Sequence, residues 1–354
     1  MRCVGVCVLA VVGCTGGETL RIEIERPAWV AVQDGDGPWL PYAQHATGHV
    51  ETQITSGHFG IAWLCDGPDR FTCIQLSTDV DDATIACPSS LHELRELRGS
   101  TDPAANVFGW TTAHGASSGT YSLALWPGPN DVFAVLSGSP SRLLVERDID
   151  GSTDQSLDLP VDQTGAVMPV VMPTVVGATA PVELYSDIHT ANGSYGVLGR
   201  DPIAVPVPPS ELVLASDWIA VAASSGPCTA QQRLRSEPPT LDIPSAFDAQ
   251  LDVAAVSWQA DSSFAWEQAY AWFDGAVAAD RYTGVSLVVR TTPSWIEAVG
   301  AGNTLPVPDI ASLPGWPTDA GFGTTRPVKW SFYLERGDRR GDWQGCHQGG
   351  AVSR

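Results

Sequence analysis

Lysine is almost absent from this chain. Lys329 is the only one among 354 residues, and 19 basic side chains face 40 acidic ones, a formal charge of −21. Such a field repels nucleic acid and anionic headgroups, which excludes nucleic-acid binding and membrane attachment through a basic patch. A paired zinc motif is missing as well. "HELRELR", starting at His92, opens like H-E-x-x-H but has no second histidine, and no two cysteines stand at CxxC spacing. Beyond the N-terminal segment no run of about 20 residues is apolar enough to span a bilayer, and no internal repeat is evident.

What the chain has in quantity is turn residues and short alternating runs. Thirty-five glycines and 27 prolines break the sequence every eight to twelve residues or so, the spacing of β-sandwich strands. "TLRIEIE" puts Leu20, Ile22 and Ile24 on one face. "FGIAWLC" and "RFTCIQLS" flank "DGPD" and form an expected hairpin. "TYSLALW", "DVFAVL", "RLLVERDI", "VELYSDI", "YTGVSLVVRTT" and "VKWSFYLERG" continue the pattern. The fold class expected is all-β, as two or three tandem sandwich-like units of immunoglobulin or transthyretin type. Clusters of turn residues place a first unit at 19–88, a linker or short helix at 89–104, a second unit at 105–180 and a larger third at 181–354. Ser89–Gly99, with Leu91, Leu94 and Leu97 three apart, is the expected helix. "SSFAWEQAYAWFDG", residues 262–275, fits either period and is assigned to strand because its neighbours are strands.

The N-terminus carries its own pattern. Arg2 precedes a short apolar run that is too brief for a permanent span and ends in Val11-Val12-Gly13-Cys14. This segment resembles the lipobox of bacterial lipoproteins. The resemblance implies a signal peptide at 1–13, a lipidated Cys14 as the first mature residue and a short tail at 14–18. Thr15, which is not Asp, implies the outer membrane if the enteric sorting rule applies. Each buried methylene is worth roughly 0.8 kcal/mol, so several acyl chains anchor a protein durably. The partner implied is a membrane reached through lipid.

With Cys3 and Cys7 in the signal and Cys14 acylated, five cysteines remain. Export favours disulfides, and the expected pairs are Cys65 with Cys87 and Cys228 with Cys346, leaving Cys73 as a buried thiol; other connectivities stay open.

Several short patterns carry residue types used in catalysis or metal binding. "GASSG", Gly115–Gly119, matches G-x-S-x-G around Ser117 beside His114, but a strand follows it where a nucleophile elbow needs a helix. His45 and His49 are four apart, a spacing that is meaningful only on a helix. Asp148, Asp150, Asp154 and Asp158 in "DIDGSTDQSLD" are candidate calcium ligands, although Gly151 stands fourth where an EF-hand has glycine sixth. No other cofactor is expected. Thirteen tryptophans crowd toward the C-terminal half, and Trp266, Tyr270 and Trp272 form a candidate exposed row for binding. The function expected is non-enzymatic: binding, adhesion or scaffolding toward a surface protein or an extracellular polymer such as a polysaccharide. The alternatives are an extracytoplasmic hydrolase of glycans or esters, centred on Ser117 or an acid pair, and a subunit of an envelope machine.

Overall fold

The computed structural model describes residues 18–24, 27–42, 49–65, 70–79, 94–110, 119–252, 254–259, 264–275, 285–317, 327–338 and 341–353. Those residues make an all-β protein with two short α-helices, Val161–Thr164 and Pro293–Ala298. No helix among them is long and apolar enough to cross a membrane. Pro293–Ala298 shows how local chemistry sets an element: Thr292 is extended, its side chain accepts from the Trp295 N–H, and Pro293 opens the first turn, where a missing N–H costs nothing.

A 12-stranded sheet dominates the structure. Its order is Tyr195–Asp201, Val182–His189, Trp218–Ser225, Cys228–Arg233, Trp343–Ser353, Pro327–Gly337, Gln268–Gly275, Val285–Thr291, Arg70–Ser77, Phe59–Cys65, Pro27–Asp34 and Leu40–Pro41. Neighbours are antiparallel except Val285–Thr291 and Arg70–Ser77, which run parallel with Val288 opposite Cys73 and Arg290 opposite Gln75. That pairing joins stretches that the sequence divides between a first and a third unit. A parallel neighbour carries no hairpin signature, so turn residues do not announce it.

One face of the sheet is apolar for most of its width. Trp29, Leu64, Ile74, Ala269, Phe273, Val289, Phe332, Leu334 and Val221 lie there, covered by the small sheet Asp248–Leu251, Ala255–Gln259 and Thr304–Pro306 and by the helix Pro293–Ala298. The other face splits in two. Over Val30, Ile61, Trp63, Cys73 and Val288 sits the hairpin-like pair Glu18–Glu23 and His49–Ile54, whose Leu20, Ile22, Val50 and Ile54 complete a second core. Burying one such aliphatic side chain stabilises by about 1.5–3 kcal/mol, which is the force holding that pair down. Past Val288 the same face carries larger polar and aromatic groups.

Between residues 94 and 167 two small sheets enclose Leu97, Leu123, Leu125, Val132, Ala134 and Leu159. The helix expected at Ser89–Gly99 is corrected here. Arg95–Ser100 is a strand antiparallel to Thr120–Leu125, with Leu97 opposite Leu123, while residues 89–93 lie outside the described residues. Three leucines at spacing three suggested a helix, yet only Leu97 of them is in the described strand, and its burial against Leu123 and Leu125 satisfies alternation. Gly99 then has a packing reason: a Cβ there would lie 1.7 Å from the Leu157 carbonyl oxygen. A salt-bridged cluster ties this region to the large sheet. Arg147 reaches Asp217 at 2.7 Å and Asp131 at 3.2 Å, both carboxylates being nearly inaccessible.

Candidate functional site

The strand Gln268–Gly275 sorts its side chains strictly. Ala269, Ala271 and Phe273 enter the large core, which sends Gln268, Tyr270 and Trp272 to the opposite face. Register then decides what they meet. Tyr270 stands opposite Tyr333 on one side and Arg290 on the other, and Tyr333 stands opposite His347. Cross-strand rings at this spacing stack. Tyr270 and Tyr333 are parallel, with centroids 4.5 Å apart, and Tyr333 and His347 follow at 5.6 Å. The hydroxyl of Tyr270 donates to Glu335 Oε1 at 2.9 Å, and Trp272 Nε1 donates to Asp274 Oδ1 at 2.5 Å. An open groove of about 460 Å³ runs beside Tyr270 and Tyr333 of this ladder, past Gln268, Trp272 and Arg290. A second groove of about 350 Å³ shares Gln268, Arg290 and Glu335 and extends to Gln75 and Thr292.

Tyr270 and Trp272 therefore do share a face, both half-buried and packed against the edge of the second core. Trp266 does not join them. It precedes the strand, packs against the large core and meets Trp258 edge-on at 5.8 Å. The period-two count across 264–272 assumed a strand already running at Phe264, whereas pairing begins at Gln268. Most other tryptophans of the C-terminal half fill core: Trp258, Trp295 and Trp330 are buried, and Trp316 abuts Trp29. Trp218 is a partial exception, stacking flat on His189 at 3.8 Å and 2°.

The four candidate calcium ligands do not converge. Asp150 accepts from the Ser152 N–H and hydroxyl, Asp154 from the Glu96 N–H, and Asp158 from the Ser100 N–H and hydroxyl. The hydroxyls of Ser152 and Ser100 hold the carboxyls of Asp150 and Asp158 below their ordinary range. Asp148, with φ of 55°, accepts from Asn192. Among the described residues no three His, Cys, Asp or Glu side chains are grouped to hold a metal. Each carboxylate has its own local donor: the Asn192 amide for Asp148, the following turn for Asp150, and the strand Arg95–Ser100 for Asp154 and Asp158. His49 lies between Glu23 and Glu51, whose hydrogen bonds raise its pKa, Glu23 contributing most.

Cys228 and Cys346 sit directly opposite on paired strands and form a disulfide. Cys65 is also disulfide-bonded, and its expected partner Cys87 lies outside the described residues. Cys73 is a buried thiol, pushed by burial to a pKa of about 12 against the opposing pull of the Arg290 charge. Cys14, His45, His114 and Ser117 lie outside the described residues.

No protein-family model and no curated protein matches the chain. Solved structures that resemble it faintly include two β-rich proteins. One is a Ca²⁺-stabilised adhesin that helps an Antarctic bacterium bind ice, 10% identical over 93% of this chain and 90% of that one, with a TM-score of 0.18. The other is the Bacillus anthracis TIE protein, 8% identical over 95% of this chain and 65% of that one, with a TM-score of 0.15. At such scores neither likeness bears on function.

Sequence reasoning missed Tyr333, Arg290, Glu335 and His347. The alternation of Trp330, Phe332 and Leu334 did leave Tyr333 and Glu335 on the outer face. Nothing local, however, could place that strand beside Gln268–Gly275, more than 50 residues earlier.

Proposed function

We propose that the chain is an extracytoplasmic binding protein of the bacterial cell envelope, tethered through Cys14 and gripping an extracellular polymer on the open face of its large sheet. The observation that carries the binding half is the ladder Tyr270–Tyr333–His347 with Trp272 beside a groove of about 460 Å³. A rigid aromatic row offers large contact area at little entropy cost, and an open groove accommodates a chain running on beyond both ends. The envelope half is supported by Val11-Val12-Gly13-Cys14 and by the disulfide Cys228–Cys346 with a second bonded cysteine at Cys65, which fit an oxidising compartment. Outer-membrane placement follows from Thr15 under the enteric rule.

The test is co-sedimentation of the mature chain with polysaccharide extracted from the surface of its own host. Wild type is expected in the pellet, and Tyr270→Ala/Trp272→Ala in the supernatant with an unchanged circular dichroism spectrum. Equal sedimentation of both refutes the assignment of the face.

A further inference from the structure

Three polar groups in the groove beside Tyr270 are without a partner among the described residues. The Arg290 guanidinium, the Gln268 amide and the Tyr333 hydroxyl make no hydrogen bond or ion pair among the described residues. Arg290 is exposed and points the same way as Tyr270, its cross-strand neighbour. A guanidinium only donates, whereas an amide and a phenol both donate and accept. The occupant that satisfies this set carries donors and acceptors close together on a ring, as vicinal hydroxyls do.

Charge narrows the choice. Glu335 and Asp338 line the same groove, and Glu267 lines its extension, so the one cation is outnumbered by carboxylates within a chain of formal charge −21. A polyanion would meet repulsion both at the groove and on approach. Building on the polymer-binding assignment above, we infer that the groove takes a neutral polysaccharide, one sugar ring lying against Tyr270 and Trp272 with its hydroxyls bridging Arg290 and Gln268. Glu335 accepts from the Tyr270 hydroxyl at 2.9 Å and so fixes the Tyr270 ring.

Affinity electrophoresis of the mature chain through gels containing dextran, laminarin, galactomannan or xyloglucan, and in parallel alginate or polygalacturonate, tests this. Retardation by at least one neutral polymer and by neither anionic one is expected. Arg290→Gln, which removes donors at an exposed position, should weaken that retardation about tenfold or more, since a hydrogen bond to a charged group is worth about 1.5–3 kcal/mol. Arg290→Lys, keeping the charge but losing the fork, should recover only part. Retention by alginate or polygalacturonate that Arg290→Gln abolishes overturns the neutral-ligand inference while leaving polymer binding standing. Neutral binding that ignores Arg290→Gln and Gln268→Ala removes the site from this groove. Migration unaffected by all six polymers, with a folded circular dichroism spectrum, contradicts both the inference and the polymer-binding assignment.

Discussion

Asp187 carries a penalty that a single substitution should remove. It lies on the same face of the sheet as Tyr185 and His189, 8% exposed, paired in register with Ala220 and Val197, neither of which offers a side-chain donor. One carboxylate oxygen is fully buried without a hydrogen-bond partner among the described residues. Burial raises its pKa from 3.8 to about 6, with the Arg200 charge pulling the other way. A folded-state pKa above the unfolded value means the native state holds the proton more tightly. The ionised form therefore costs nothing well below pH 3.8, and the cost grows through pH 4–6 until it is complete above about 6. At roughly 1.36 kcal/mol per unit, the full cost is about 3 kcal/mol at pH 8 and about 0.5 kcal/mol at pH 4. Asp187→Asn keeps the shape and removes the charge, although its amide also lacks partners and forfeits part of the gain. Urea unfolding of both proteins at pH 8 and pH 4 should show the variant more stable by about 2 kcal/mol at pH 8, with most of that advantage gone at pH 4. A difference that does not change with pH would refute the reasoning.

Other outcomes follow from the same structure. Arg147→Met should destabilise by about 3–5 kcal/mol in urea titrations, because Asp131 and Asp217 would remain buried without their cation. Reducing the Cys228–Cys346 bond, which spans 118 residues, should cost about 2–5 kcal/mol, measured as a shift of the denaturation midpoint. Cys73 should resist thiol reagents in the native protein and react fully in urea, since a buried thiol with a pKa of about 12 presents no thiolate. Cys14→Ser expressed in the host should lose the acyl mass by mass spectrometry and appear in the soluble fraction; unchanged membrane retention would count against the tether.

Much of the fold was legible because alternation is a local signal. Leu20, Ile22 and Ile24 are buried together as period two demands, and Phe59–Cys65 does pair with Arg70–Ser77. Failures arose where the partner is distant or the pattern short. The leucines before Gly99 mimic helical spacing, but Leu97 faces Leu123 across a strand pair. Trp266 sits two residues ahead of a strand whose start only pairing with Glu335 reveals. The candidate face was half visible, in Tyr270 and Trp272. Its other half, Tyr333, His347 and Arg290, arrives from three separate strands that only the register assembles. The aspartates at 148–158 were plausible ligands in sequence because composition cannot show that neighbouring N–H groups already occupy them.

Oxidative footprinting by mass spectrometry, with and without a bound neutral polysaccharide, tests the central claim most directly. Protection of Tyr270, Tyr333 and Trp272 on binding, with Trp218 and Trp110 unchanged, is the predicted result. Polymer bound while those three side chains oxidise at their free rate would contradict the account.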